Sequence, residues 1–340
     1  MQRQTNSSDP SVSVVICAYN VEQYLEKSIR SILTQTFNNL ELIVVDDAST
    51  DDTAVIASAA VEKDHRVRLI RHSENKGLAH ARMTGLDSTR SDLVLFLDGD
   101  DLALPDMLEK QVEIIQSDSN IIGVATYAYY IGDDDSKKLG IQRIGPTSKK
   151  KFMDMYKESK LVFLPATTLC RKKMVVEAGG FRLSGLPVKG GVRFQDYCDD
   201  LDLWCRLSDL AAQGKYFVTI PIPLFLYRKS TGSISAKNVF VMQQKMRWIK
   251  DCLKHRRAGI QERSFLEYQR NRSLLRKLDN LREDCAAYLY KATAFSFLQG
   301  RYFKAFFLLL GVCVLSPFLV IQKVRTQKIK VDSCWTRKHV

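Results

Sequence analysis

Short, unbroken apolar runs and longer stretches of helical period alternate through the first part of the chain. Val12-Ser13-Val14-Val15-Ile16-Cys17 reads as a strand, and Val21 to Gln35 as a helix carrying Leu25, Ile29, Ile32 and Leu33 on one face. Leu40 to Val45 predicts a second strand, Thr53 to Glu62 a second helix and Val67 to Ile70 a third strand. A helix from about Leu78 to Asp87 leads into Leu93-Val94-Leu95-Phe96-Leu97, a fourth strand. Continuous apolar strands are buried on both faces, and strands alternating with helices at this spacing are joined by crossovers. The predicted class is α/β, a mostly parallel central sheet with helices on both faces.

Two of these strands end in charge. Asp46-Asp47 closes the second, and Asp98-Gly99-Asp100-Asp101 closes the fourth. A single Asp after a strand commonly starts a turn or caps the next helix. Ligands in open parallel sheets, however, lie beyond the carboxyl ends of the strands, so two acidic groups at two such ends face one crevice. Mg²⁺ and Mn²⁺ prefer oxygen and, near substrate, are held by one or two carboxylates plus phosphate. Asp98 and Asp100, separated by a glycine that permits close approach, are candidate ligands for a divalent ion bridging a diphosphate.

The chain has 340 residues with 45% hydrophobic content, enough for a large domain with an appendage. Lys and Arg outnumber Asp and Glu by 51 to 38, and the formal charge of +13 favours anionic partners. Its eight cysteines include no C-x-x-C pair, and the N-terminus lacks the apolar core of a signal peptide, so a reducing, cytoplasmic location is expected. Residues 1–10 read as a disordered N-terminus. Beyond a helix ending near Gln116, residues 121–170 read as short strands and loops, with Gly132-Asp133-Asp134-Asp135-Ser136 a solvated acidic turn. Residues 181–198 read as a mobile, glycine-rich loop before a helix bearing Asp199-Asp200-Leu201-Asp202. From about Val239 the pattern turns helical and basic, which places a boundary at 238 and a C-terminal appendage over 239–340.

SVSVVICAYN, LELIVVDDASTDDT, NKGLAHAR, FLDGDD and DDLDLWCRL, in that order, resemble the nucleotide-sugar-binding domain of family 2 glycosyltransferases, whose fold is called GT-A. The likeness covers roughly residues 10 to 235, within a domain over 11–238. It implies an inverting, metal-dependent enzyme that moves one sugar from a UDP-sugar to a hydroxyl of a lipid-linked glycan, in assembly of bacterial O-antigen, capsule or exopolysaccharide. Ala18, Tyr19, Asn20 and Asp47 would hold uracil and ribose, the Asp47 carboxylate accepting the imide N–H. Arg82 would lie near the diphosphate, with Met83 where the family usually has Asn. Asp98 would reach ribose or metal, Asp100 would be the principal ligand of Mn²⁺ or Mg²⁺, and Asp101 would cap the turn. Asp200 is the expected general base, in an Asp199-Asp200 pair that stands where the family has Glu-Asp. Adjacent carboxylates resist ionising together, which raises one pKa toward the working pH.

The resemblance extends to further positions. Trp204 is a packing residue or a sugar platform, and Arg228 and Ser233 lie in a tail that would close over the nucleotide. Gln244-Lys245-Met246-Arg247-Trp248 matches the Q-x-x-R-W signature of processive polymerases in the family, so Arg247 and Trp248 either line an acceptor cleft or pack on the domain. The long membrane helices of those polymerases have no counterpart, and single addition is expected. Ala305 to Ile321 is mostly apolar but shorter than the roughly 20 residues of a spanning helix. Basic residues flank it: Arg301 and Lys304 before, and Lys323, Arg325, Lys328 and Lys330 after. The pattern fits helices lying on the inner face of the cytoplasmic membrane, with one spanning or re-entrant C-terminal segment and a buried core helix as the alternatives. Two other readings are a nucleic-acid-binding protein and a non-catalytic nucleotide-sugar binder. Residues 245–282 carry no zinc, RNA-recognition or helix-turn-helix signature, so no nucleic-acid partner is expected. A non-catalytic binder is expected to have lost Asp100 or Asp200, and both are present.

Overall fold

The computed structural model describes residues 11–189, 192–229, 238–298, 300–317 and 319–320. The expected disordered stretch 1–10, Ser233 of the closing tail and the basic residues from 323 to 330 lie outside the described residues. β1 (Val12–Ala18), α1 (Glu22–Leu33), β2 (Leu40–Asp46), α2 (Thr53–Lys63), β3 (Val67–Arg71), α3 (Leu78–Ser88) and β4 (Leu93–Asp98) follow in strict alternation. Every residue of β1 and β2 is buried, as continuous apolar strands covered on both faces require. β1 pairs in parallel with both β2 and β4, and β2 with β3. The register sets Ala18 beside Asp46 and Cys17 beside Asp98. Both acidic strand ends therefore emerge at one edge of the sheet.

Beyond them lie β5 (Leu102–Ala103), α4 (Met107–Ser117), β6 (Ile121–Ile131), β7 (Lys138–Gln142), α5 (Lys149–Lys157), β8 (Leu169–Arg171) and α6 (Lys172–Glu177). The short hairpin β9 (Val188–Lys189) and β10 (Val192–Arg193) precedes α7 (Asp199–Leu207) and β11 (Tyr216–Arg228). The nine-stranded sheet has the order β3-β2-β1-β4-β8-β6-β11-β5, with β7 paired to β6. β8 runs antiparallel between β4 and β6, while β11 runs parallel to β6, so the sheet is mixed on that side. Residues 121–170 include the short strands expected, β7 and the start of β8, but also one 11-residue strand, β6, and a helix, α5. Gly123, Thr126 and three tyrosines break the apolar run of β6, and the strand is held by neighbours on both sides rather than by its own pattern.

By compactness the chain divides into Met1–Ser230 with Lys245–Glu267, and Thr231–Gln244 with Tyr268–Val340. The first unit thus takes in residues beyond the boundary expected at 238. Trp248, Ile249, Cys252, Leu253 and Phe265 are buried. The helices concerned are α8 (Val239–Arg257), α9 (Phe265–Arg270), α10 (Leu274–Leu298) and α11 (Tyr302–Leu315). Among the described residues, no helix is long and apolar enough to cross a membrane.

α3 reaches β1 through Gly85, where a Cβ would run into the Val15 side chain. That close approach carries Arg82, on the same helix, to the strand ends. Gly85→Ala is expected to lower the melting temperature despite alanine's better helix propensity, because overpacking costs about 1–3 kcal/mol against about 1 gained. A raised melting temperature in a thermal scan would contradict this packing.

Candidate active site

The first two strand ends are stitched together by their turns. Asn20 (φ 52°) and Ala48 (φ 60°) both adopt the left-handed conformation. The Asn20 N–H donates to Ser49 Oγ at 3.0 Å, and its Oδ1 accepts from the Thr50 N–H at 2.9 Å. Ala18 is buried at the strand end, and Tyr19 is exposed at the rim. Asp47 is buried, with Oδ1 accepting from the Lys76 N–H at 2.8 Å and Oδ2 from the Gly77 N–H at 2.7 Å. His72 Nδ1 lies 2.7 Å from Asp47 Oδ1, and its Nε2 3.0 Å from Thr84 Oγ1. A carboxylate offers about four lone-pair positions, so about one of Asp47's stays open beyond those turned to the 76–77 loop and to His72. His72 was not singled out from sequence, although it directly follows β3 and so stands at a third strand end.

Arg82 joins the metal-candidate strand to the base-candidate helix. Its Nη1 donates to both oxygens of Asp199 at 2.8 Å, and its Nη2 to Asp98 Oδ1 at 2.9 Å. Burial favours its neutral form, but Asp199 and Asp98 outweigh that and hold its pKa well above the ordinary value. The guanidinium is therefore a fixed positive charge between two carboxylates, placed against the Phe181 ring.

The acidic turn after β4 divides by burial. Asp98 and Asp100 are half-buried, whereas Asp101 is buried and accepts from the Arg228 N–H at 2.8 Å. Burial, then the neighbouring Asp98, pushes Asp100 up to about 6. Arg228 is buried; its Nε donates to the Asp100 carbonyl at 2.9 Å, and its Nη groups reach the Gly132 carbonyl and Asp135. The run 132–136 is thus not simply solvated: Asp135 pairs with Arg228 and, at 2.6 Å, with Lys27. Arg228 supports the turn from below, with its guanidinium against Tyr24, rather than presenting a free charge to a diphosphate.

Asp199 and Asp200 begin α7, directly after Cys198, which takes a left-handed conformation (φ 51°). Asp199 is buried and committed to Arg82, while Asp200 is half-buried, its Oδ1 accepting from the Leu201 N–H at 2.7 Å. Burial, then Asp199, raises Asp200 to about 6, with Arg82 opposing. Asp202 is held below the carboxylate range despite burial, because Arg206 and Arg182 flank it. Just before α7, Arg193 pairs with Asn75, and Asp196 Oδ1 accepts from the Ala79 N–H at 3.1 Å.

Two other predicted residues are packed in the interior. Trp204 is buried with its ring edge-to-face on Phe217, leaving no face for a sugar. Trp248 is buried as well, its indole N–H donating to the Arg263 carbonyl at 2.9 Å, and Arg247 precedes it on α8. Among the described residues, no cluster of three or more His, Cys, Asp or Glu could hold a metal unaided. Asp98 and Asp100 nevertheless fit a hard cation: both offer oxygen, both are accessible, and a cation relieves the like-charge repulsion that raises Asp100. Phosphate oxygens and water would complete such a sphere.

The sequence profile described as Glycosyl transferase family 2 matches residues 13–178. An uncharacterized glycosyltransferase of Haemophilus influenzae is 30% identical over 244 residues, spanning 71% of this chain and 92% of that protein. The glycosyltransferase GlyG of Streptococcus pneumoniae is 30% identical over 66% of this chain and 72% of its own length. The putative glycosyltransferase EpsE of Bacillus subtilis is 32% identical over 61% and 70%. Among solved structures, the mannosyltransferase PcManGT of Pyrobaculum calidifontis, in complex with GDP-Man and Mn²⁺, matches with a TM-score of 0.54 at 19% identity, covering 94% of this chain and 84% of that one. S. aureus TarS in complex with UDP-GlcNAc matches at 0.55 and 15% identity, covering 93% and 92%. These two likenesses speak to the fold. With the profile and the relatives of similar length added, the chain belongs to glycosyl transferase family 2 and is a glycosyltransferase of the GT-A fold.

Proposed function

We propose that the enzyme transfers a single sugar, with inversion, from a UDP-sugar to a hydroxyl of a lipid-linked glycan in bacterial surface-polysaccharide assembly. The observation that carries this reading is Arg82, whose bonds to Asp98 and Asp199 set the diphosphate-side carboxylates and the Asp199-Asp200 pair on one crevice. Solved neighbours bound to UDP-GlcNAc and to GDP-Man support a nucleotide-sugar donor, and relatives such as EpsE and GlyG support a bacterial setting.

In the proposed reaction the acceptor oxygen attacks the anomeric carbon from the face opposite UDP. Asp200 takes the acceptor proton, and the bond to UDP breaks with its electron pair leaving on the diphosphate. Asp98 and Asp100 would hold a divalent cation, whose chemistry when bound would be to neutralise the charge developing on that leaving group. Asp199, tied to Arg82, stands beside Asp200, and burial together with that neighbour pushes Asp200 up to about 6. Asp47, Asn20 and the 76–77 backbone shape the pocket that receives the nucleoside.

The membrane surface is the proposed site of the acceptor. α10 exposes Leu274, Leu275, Leu278 and Leu281 interleaved with Arg276, Lys277 and Arg282, and α11 exposes Tyr302, Phe303, Phe306 and Phe307 beside Lys304. Exposed apolar residues with basic neighbours match helices that lie in an anionic interface.

Three outcomes follow. Transfer is expected to rise with pH through about 6, because protonated Asp200 cannot accept a proton; Asp200→Asn loses about 10²–10⁴-fold in kcat while retaining UDP, and full transfer by that variant would remove Asp200 as base. In a thermal-shift panel of UDP-sugars with Mn²⁺ or chelator, the wild type is stabilised only with metal; an unchanged Mn²⁺ response in Asp100→Ala would place the metal elsewhere. Replacing Phe303, Phe306 and Phe307 together by Ser should lower sedimentation with anionic vesicles about tenfold or more; equal sedimentation would clear α11 of membrane contact.

A further inference from the structure

The Gln244-Lys245-Met246-Arg247-Trp248 stretch contains a buried cation with no part in the mechanism above. Lys245 is 1% exposed, and its Nζ donates to the Gln195 carbonyl at 3.0 Å. Trp248, one turn further along α8, fixes that helix by its bond to Arg263 and by packing on Phe265. The Arg182 guanidinium lies 5.4 Å from the Trp248 ring centroid and pairs with Asp202 at 3.1 Å. One face of α8 therefore stands behind the segment that carries the candidate base.

The charged and titratable groups facing Lys245 are Asp199, Asp202, Cys198 and Asp196. All belong to the stretch 196–202. Burying an ammonium costs several kcal/mol unless it is compensated; burial lowers the Lys245 pKa, and this acidic stretch offsets that only in part. The dependence is mutual. Arg82 is committed to Asp199, and Arg182 and Arg206 to Asp202, so among the described residues neither Asp196 nor Asp200 has an ion pair of its own. Cys198, at the centre of the stretch, holds a left-handed conformation that costs a residue with a side chain about 1–3 kcal/mol. Such a turn persists only when its surroundings fix it. Arg193, Asp196 and Asp199 fix it from the nucleotide side, through Asn75, Ala79 and Arg82. Lys245 fixes it from the other.

We propose that Lys245 is a positioning residue: its ammonium, bonded to the Gln195 carbonyl and facing the 196–202 carboxylates, holds the turn that aims Asp200 at the acceptor. This inference rests on Asp200 being the base. It gives the Q-x-x-R-W letters of this chain a task behind the site, with Trp248 as the anchor and Lys245 as the contact.

The test is steady-state kinetics on the full chain for Lys245→Met, Lys245→Arg, Asp200→Asn and the Lys245→Met/Asp200→Asn double variant. Lys245→Met keeps the stem and loses the charge; kcat should fall about tenfold or more while donor KM stays within about twofold, since misplacing a reacting group by about 1 Å costs up to about 10²-fold. Lys245→Arg should recover most of that loss, and the double variant should be no slower than Asp200→Asn alone, because Lys245 acts through Asp200. Wild-type kcat in Lys245→Met beside an inactive Asp200→Asn would overturn the Lys245 assignment alone. A double variant markedly slower than Asp200→Asn would do the same. Full activity of Asp200→Asn would overturn the base itself and this inference with it. If Lys245→Met shows no cooperative melting, Lys245→Gln, neutral but still able to donate to the Gln195 carbonyl, takes its place under the same criteria.

Discussion

One buried guanidinium organises the site. Arg82 spans the gap between a strand end and a helix start that lie more than a hundred residues apart in sequence, and it satisfies both with charge-assisted bonds of 2.8–2.9 Å. Buried charges are tolerated when paired on every side, and removing one partner leaves the others exposed to the full desolvation cost. α3 must lie close against β1 for Arg82 to reach, and Gly85 makes that approach possible. Packing, ion pairing and site geometry are consequently one arrangement.

Burial sorts the carboxylates into two kinds. Asp47, Asp101, Asp199 and Asp202 are buried and bonded to backbone N–H groups, to His72 or to Arg. Asp98, Asp100 and Asp200 are half-buried and keep oxygen atoms available to a ligand. Asp100 and Asp200 are both pushed to about 6, by burial and by an acidic neighbour in each case. On the proposed reading, the first arrangement would take a cation and the second would serve as a base able to ionise near neutral pH.

The basic residues are put to more than one use. Arg82, Arg182, Arg206, Arg228 and Lys245 work inside the first unit as partners of buried carboxylates or carbonyls. Those of α10 are exposed beside leucines, a placement that suits an anionic surface instead. Net charge alone does not separate these uses, since it counts cations without their neighbours.

The amino-acid sequence determined the alternating α/β half of the molecule, because unbroken apolar strands can be buried only between two layers of helices. Together with the motif order, it also determined which strand ends carry acidic groups, since a parallel register brings all of them to one edge. Other features were settled only by tertiary structure. β6 and α5 escaped the sequence reading because their stability comes from neighbours, and Trp204, Trp248 and Arg228 turned out to be packed residues because local pattern does not record burial. His72 meets Asp47, Asp135 meets Arg228, and Lys245 meets the 195–202 turn across separations that no periodicity spans. Local sequence fixes the type of an element and the residues at its end. Which of those residues is spent on holding the fold, and which is left for chemistry, depends on long-range partners that only the folded chain brings within bonding distance.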